Sequence, residues 1–286
     1  MLPKWIKTTA PCGENYRKVK KLLDTYGLHT VCESAECPNV GECFNSLTAT
    51  FMILGDTCTR ACRFCAVKKG HPLPLDEKEP ENISQAVKEM GLRHAVITSV
   101  TRDDLPDGGA EVFAETVAAL KKNIPLCKVE VLIPDFKGSK QALKKVINAG
   151  PDVINHNMET VARLYPQVRP QADYKRSLNV IEMVAGVKAE IITKSGIMLG
   201  LGETAEELKQ TFSDLVNAGC KLLTIGQYLS PSTNHVPVQR YYTPAEFEYW
   251  RKIAEKIGLK KALSGPLVRS SYNASVQYDE LMGTES

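Results

Sequence analysis

Thr50-Phe51-Met52-Ile53-Leu54-Gly55, then Asp56-Thr57, then Cys58-Thr59-Arg60-Ala61-Cys62-Arg63-Phe64-Cys65 is the stretch around which the chain is organised. The apolar run is short enough for one buried strand, and it ends just before the first cysteine. Three thiols then fall at C-x3-C-x2-C spacing. Thiolates this close can wrap one metal centre, and three ligands leave a fourth corner open. A structural zinc ion wants that corner filled by another Cys or His nearby. An iron–sulfur cube can leave one iron without a protein ligand, open to a small molecule. Phe64, directly before the last cysteine, favours the second chemistry.

A second trio lies upstream in Cys32-Glu33-Ser34-Ala35-Glu36-Cys37-Pro38-Asn39-Val40-Gly41-Glu42-Cys43, spaced C-x4-C-x5-C and again one thiol short of four. Pro38, Asn39 and Gly41 let the chain turn back on itself, as wrapping a metal group requires. A zinc loop, three unrelated buried thiols or a second cluster are all compatible with this segment alone. Cys12, Cys127 and Cys220 lack such spacing and read as ordinary thiols.

The remaining composition narrows the class. With 286 residues, 43% of them hydrophobic, the chain suits one large domain with a full core. Lys and Arg number 36 against 33 Asp and Glu, a net charge of +3, too mild a balance to suggest nucleic acid. No apolar run approaches the ~18 residues of a membrane span. The first residues show no signal or transit segment, so the expectation is a cytoplasmic protein with no membrane partner. Nine cysteines would there serve better as ligands than as disulfides.

Beyond Thr50, strand-like and helix-like segments alternate. Strands are expected at 50–55, 94–100, 128–134, 152–155, 191–199 and 221–228. Helices are expected at 13–26, 82–91, 110–122, 139–149, 172–186, 204–218 and 243–257. Thr204 with Glu207, and Thr243 with Pro244 and Glu246, read as capping boxes. About six βα units imply an α/β fold with a parallel sheet. An open doubly wound sheet and a partial barrel fit that count equally. In both, chemistry gathers at the carboxyl ends of strands. Those ends carry Ser99 and the run VTRDDLPDGGA from Val100, then Asn157 and Glu159, then Met198 in SGIMLGLGE, then Gln227 and Tyr228. Histidines 71, 94 and 156 read as turn, surface or hydrogen-bonded residues. Lysines 144–145 and 260–261 read as solvated faces. The tail runs from Gly265 to Arg269-Ser270-Ser271-Tyr272 and then turns polar; Arg-Ser-Ser-Tyr itself has no obvious helical or strand logic and can read as an ST-turn ending the domain.

The Cys58 loop resembles the signature of the radical S-adenosylmethionine (SAM) superfamily. The two cysteine trios, VTRDDLPDGGA, SGIMLGLGE and the terminal RSSY together resemble the lipoyl synthase family within it, from about Cys32 to Tyr272. The resemblance implies a partial (β/α)6 TIM-type barrel over 50–264. An N-terminal extension, 1–49, would carry the auxiliary cysteines, and a tail, 265–286, would close their site. It implies two 4Fe–4S clusters. Cys58, Cys62 and Cys65 would hold the first, whose open iron chelates SAM. Cys32, Cys37 and Cys43 would hold the second, with Ser271 as fourth ligand and Arg269 beside it. Phe64, Ser99, Asn157, Glu159, Arg169 and Met198 are the candidates for SAM contact: Asn157 and Glu159 toward ribose hydroxyls, Ser99 and Arg169 toward the amino and carboxylate groups.

The implied reaction inserts two sulfur atoms at C6 and C8 of an octanoyl chain amide-linked to a lysine, with the auxiliary cluster as sulfur donor. The implied partners are octanoylated lipoyl domains or the glycine cleavage H protein as substrate, an electron donor such as ferredoxin or flavodoxin, and an iron–sulfur carrier. A two-cluster electron carrier and a zinc-stabilised binding module are the rival classes. SAM binding separates the first, and metal analysis the second.

Overall fold

The computed structural model describes residues 2–187 and 190–283. The chain divides into two compact units, one of Thr8–Arg60 with Ala66–Asp152, the other of Met1–Lys7, Ala61–Cys65 and Val153–Ser286.

The first unit opens with α1, Glu14–Tyr26, whose Val19 and Leu23 are buried and which ends on Gly27 at φ 63. Only a residue without Cβ takes that left-handed position freely. β1, His29–Thr30, pairs antiparallel with β2, Thr50–Ile53. Between them two short helices, α2 (Val31–Ser34) and α3 (Val40–Asn45), carry the upstream cysteines. β2 is buried at every position and runs parallel to β3 (His94–Ser99), which runs parallel to β4 (Lys128–Leu132). Burial on both faces is why β2 reads as a continuous apolar run without alternation. α4 (Glu79–Met90), α5 (Ala110–Asn123) and α6 (Lys140–Ala149) supply the crossovers. α4 starts three residues before the expected 82. Pro80 in its first turn has its φ preset and gives up no needed donor there.

The second unit continues the alternation. β5 (Val153–Asn155) is followed by α7 (Tyr165–Val168) and α8 (Tyr174–Val187), β6 (Ile192–Leu199) by α9 (Ala205–Asn217), and β7 (Leu222–Gln227) by α10 (Pro244–Ile257). Then come β8 (Lys261–Gly265) and α11 (Ala274–Met282). β5 to β8 are parallel neighbours in chain order. Phe212, Leu215, Leu223, Ile225, Phe247 and Ala254 fill the core between strands and helices. Both expected capping boxes form, each Thr accepting from its Glu backbone and each Glu carboxylate reaching back.

Two features lie outside the sequence pattern. Lys260 is exposed and Lys261, at the half-exposed start of β8, pairs with Glu280 at the surface, so the two lysines are solvated as expected although they lead into a strand. The strand escaped the sequence pattern because Ala262 is its sole buried residue. The polar end is helical from Ala274, after Asn273 at φ 50. No helix among the described residues is long and apolar enough to cross a membrane.

Candidate active site

In the first unit, β2 delivers the chain to Cys58 through a tight turn. Leu54 stands at φ 71 and Gly55 at φ 87. A left-handed leucine costs roughly 1–2 kcal/mol, and two features hold it. The buried Glu79 carboxylate accepts from the Leu54 amide at 2.8 Å. Gly109 leaves room for the leucine side chain, since a Cβ there would come within 2.3 Å of Leu54 Cδ1. Burial raises the Glu79 carboxyl above its ordinary range, against the pull of the Leu54 and Gly55 amides.

Cys58 is fixed by its backbone and met at its sulfur. Its amide donates to Lys68 O at 2.8 Å, and its carbonyl accepts from Gly70 at 3.0 Å. Its Sγ accepts from the amides of Arg60 at 3.4 Å and Thr101 at 3.3 Å. Hydrogen bonds to a ligand sulfur tune an iron–sulfur site. Arg60 then forks across the ends of β3 and β4. Its Nε and Nη2 take the two oxygens of Asp103 at 2.7 and 3.0 Å, and Nη2 also takes Asp135 at 2.6 Å. The Thr59 hydroxyl donates to Thr101 O at 2.9 Å and accepts from the Asp103 amide at 3.0 Å. Ser99, at the end of β3, keeps a buried hydroxyl without a hydrogen-bond partner among the described residues.

The upstream trio lies in the same unit. Cys32 sits in α2 and Cys43 in α3, and the Cys37 amide donates to Cys32 O at 3.0 Å. Burial, with the charges of Cys37 and Cys43 adding to it, pushes the Cys32 thiol up to about 12. Burial and the Cys37 charge likewise push the Cys43 thiol to about 11. Thiols held that high are protonated without metal, so Cys32 and Cys43 must release protons to bind one. Among the described residues no His, Cys, Asp or Glu groups are placed to hold a single metal ion. A four-iron cube takes each thiolate on a different iron, so its ligands need not converge on a point. The soft donor set fits such a group.

In the second unit, residues 61–65 are stitched from two sides. The Ala61 amide donates to Gln171 Oε1 at 2.6 Å and the Arg63 amide to Val168 O at 2.9 Å. The Val236 amide donates to Arg63 O at 3.0 Å. His235 Nε2 lies 3.1 Å from Cys65 O, and its Nδ1 lies 2.9 Å from Ser232 Oγ. A carbonyl can only accept, so Nε2 carries a proton and donates to it. Phe64 packs half-buried against the apolar core of this unit.

The strand ends of this unit bring four expected residues together. Glu159, at φ 63, donates its amide to Gly196 O at 3.0 Å and accepts from the Met198 amide at 2.9 Å. Asn157 Nδ2 donates to Glu159 Oε1 at 3.1 Å and to Ser270 Oγ at 2.6 Å. Arg169 Nη1 donates to Asn157 O at 2.8 Å and Met158 O at 3.2 Å, which fixes the segment beyond β5. Burial raises the Glu159 carboxyl above its ordinary range, although the Arg169 and Arg269 charges oppose this. Arg269 donates to Val268 O at 2.8 Å, and that carbonyl lies so close to β7 that a Cβ on Gly226 would meet it at 2.1 Å. Ser271 is half-buried. The buried His94 side chain lies 3.4 Å from Glu130, and His156 is buried too, so neither is a surface residue.

Glu79, Asp135, Gln171 and His235 were not legible in advance as site residues, and Ser270 was quoted only as part of the RSSY run. Arg60 and Asp103 stood inside quoted motifs, and their opposite charges beside a cysteine loop were the signal available.

The radical SAM superfamily model matches residues 52–215, and the model described as the N-terminal domain of lipoyl synthase matches residues 1–37. Lipoyl synthase of Rubrobacter xylanophilus is 56% identical over 278 residues, 97% of this chain and 87% of that protein. Lipoyl synthase of Caldanaerobacter subterraneus is 55% identical over 274 residues, 96% of each chain. Among solved structures, methylornithine synthase superposes with a TM-score of 0.54 at 13% identity over 82% of this chain and 81% of that one. Streptococcus suis SuiB bound to its precursor peptide gives 0.59 at 11% identity over 93% and 58%. At such identity these two speak for the fold alone, the partial barrel of radical SAM enzymes.

Proposed function

The chain belongs to the lipoyl synthase family of the radical SAM superfamily, and on that premise we propose how its residues divide the work. It is a sulfur-inserting enzyme that uses 4Fe–4S clusters and SAM, and lipoyl domains are its general class of substrate. The carbons at C6 and C8 of an octanoyl chain are saturated and remote from the carbonyl, so no side-chain base can activate them. When bound, the clusters and SAM supply the one-electron chemistry and the sulfur that such carbons demand.

In this reading Cys58, Cys62 and Cys65 hold one cluster, and the two amides at Cys58 Sγ orient that sulfur. Arg60 holds the start of that loop to Asp103 and Asp135, while Gln171, Val168, Val236 and His235 hold its end. Asn157 and Glu159 take the ribose of SAM, with Ser99, Arg169 and Met198 around it and Phe64 backing the cysteine loop. Cys32, Cys37 and Cys43 hold the second cluster within 1–49, and Ser271 of the 265–286 tail completes it beside Arg269. The 50–264 barrel excludes water and aligns the octanoyl chain. The partners are octanoylated lipoyl domains or the glycine cleavage H protein, a ferredoxin- or flavodoxin-type donor and an iron–sulfur carrier, in the cytoplasm.

The observation that carries this division is the presence, in one unit, of the amide-capped Cys58 sulfur and of a second thiol trio gathered by short helices and turns. The test is to reconstitute two triple variants anaerobically. Replacing Cys58, Cys62 and Cys65 together should halve the iron and abolish SAM cleavage. Replacing Cys32, Cys37 and Cys43 should leave 5′-deoxyadenosine formation and remove thiolated product. Lipoyl product from the second variant would sink the assignment.

A further inference from the structure

Three oxygens meet over the α-carbon of Gly196 in β6. A methyl group built there would lie 2.7 Å from Asn157 Oδ1, 2.9 Å from Thr224 Oγ1 and 3.0 Å from Ser270 Oγ. The glycine therefore lets three polar groups gather over the strand as a small polar cradle, with which any side chain would clash.

The donors and acceptors around the cradle are determined by their other partners. Asn157 is 8% exposed, and both hydrogens of its Nδ2 are committed, to Glu159 Oε1 and to Ser270 Oγ. The Glu159 carboxylate accepts, so the amide cannot be turned round, and Oδ1 faces the cradle. That Oδ1 is buried with no hydrogen-bond partner among the described residues, a costly state unless a ligand supplies a donor. The Thr224 hydroxyl donates to Ser195 O at 3.3 Å, which leaves its lone pairs as acceptors. Ser270 Oγ already accepts from Asn157, so its own O–H is the cradle's one donor.

We propose that Ser270 is a binding residue for the nucleoside part of SAM, gripping a ribose hydroxyl together with Asn157. This rests on the assignment of Asn157 and Glu159 to the ribose. A hydroxyl both donates and accepts, so it satisfies Asn157 Oδ1 and the Ser270 O–H at once. The ammonium of SAM only donates and would leave the Ser270 hydrogen unmet. The two serines of RSSY then have different tasks. Ser270 attends the nucleoside, and its neighbour Ser271 is left for the auxiliary cluster, so nucleoside binding steadies the segment that completes the second site.

The probe is S-adenosylhomocysteine, which is not cleaved, titrated calorimetrically into the cluster-loaded enzyme alongside its 2′-deoxy and 3′-deoxy analogues. Ser270→Ala should retain full iron and sulfide yet bind S-adenosylhomocysteine about tenfold more weakly, as loss of one hydrogen bond predicts. For one of the two deoxy analogues that penalty should vanish, because the partner hydroxyl is already gone. Unchanged binding by Ser270→Ala, or the same penalty for all three ligands, would overturn the role of Ser270 while leaving the enzyme assignment intact. Failure of the parent enzyme to bind S-adenosylhomocysteine would overturn the SAM-site assignment itself, and this inference with it.

Discussion

Arg60 and Asp135 form an ion pair of 2.6 Å whose side chains are 4% and 0% exposed. The same guanidinium takes both oxygens of Asp103, so one planar fork spans the ends of β3 and β4 from a position two residues after Cys58. Its value to the site lies in geometry, since a buried pair gains little over apolar packing but is costly to break on one side.

Arg60→Ala should destabilise the protein by about 3–5 kcal/mol, because Asp135 is left buried with its charge uncompensated. Arg60→Lys keeps the charge but cannot serve two carboxylates from one plane, and should lose about 1–2 kcal/mol. Urea unfolding of the metal-free chain measures both. An alanine variant as stable as the parent would show that the fork is ornamental to the fold.

His235 should act through the carbonyl it holds. His235→Ala frees Cys65 O, and the cluster should be stripped by chelator several-fold faster. His235→Gln places an amide hydrogen near the old Nε2 position and should recover part of the loss. Decay of the visible absorbance of the loaded enzyme reads the rate. Equal rates in all three proteins would relegate His235 to loop packing.

In the proposed assignment Ser271 separates holding from releasing. Ser271→Ala should still assemble two clusters, since three thiolates suffice, and should cleave SAM while yielding little doubly thiolated product. Ser271→Cys should bind its iron more firmly, because thiolate is a softer ligand than serine oxygen, and release sulfide poorly. Single-turnover product analysis decides it: a normal yield from both variants would make Ser271 a turn residue.

Asp152 ties acid stability to the base of the first unit. Burial alone would raise its carboxyl, but the Val129 amide and the ammonium groups of Lys121 and Lys128 hold it below the ordinary 3.8. Its folded pKa is thus lower than its unfolded one. The stabilisation is present above the unfolded value and is lost as pH falls through the folded one. Asp152→Asn should be less stable than the parent at neutral pH, and the gap should close below pH 3.8. A gap independent of pH would mean that the carboxylate charge plays no part.

The parts of the fold legible in advance are those written locally. β2 is a continuous apolar run, α9 and α10 carry their capping boxes, and the cysteine trios declare themselves by spacing. The partial barrel came from resemblance, because counting βα units could not separate it from an open sheet. β8 was missed for want of a second buried residue, and the start of α4 because Pro80 outranks Asn82 as a first-turn signal. Ser270 and His235 were missed for another reason. A serine near the chain end and a histidine in a Pro-rich loop gain meaning only from partners 113 and 170 residues away.

Those long separations set an order of events during synthesis. The end of the cysteine loop takes its hydrogen bonds from Gln171, 110 residues downstream of Ala61, and from His235, 170 residues downstream of Cys65. At about 5–20 residues per second of translation, the thiols of that loop leave the ribosome on the order of ten seconds before the partners that will shape it. Cys32, Cys37 and Cys43 lie among short-range turns and can be arranged much sooner. Maturation of the nascent enzyme is therefore staggered. The upstream thiols find their local turns first, whereas the Cys65 end of the loop and, in the proposed assignment, the Ser271 that completes the auxiliary site both wait until the chain is nearly complete.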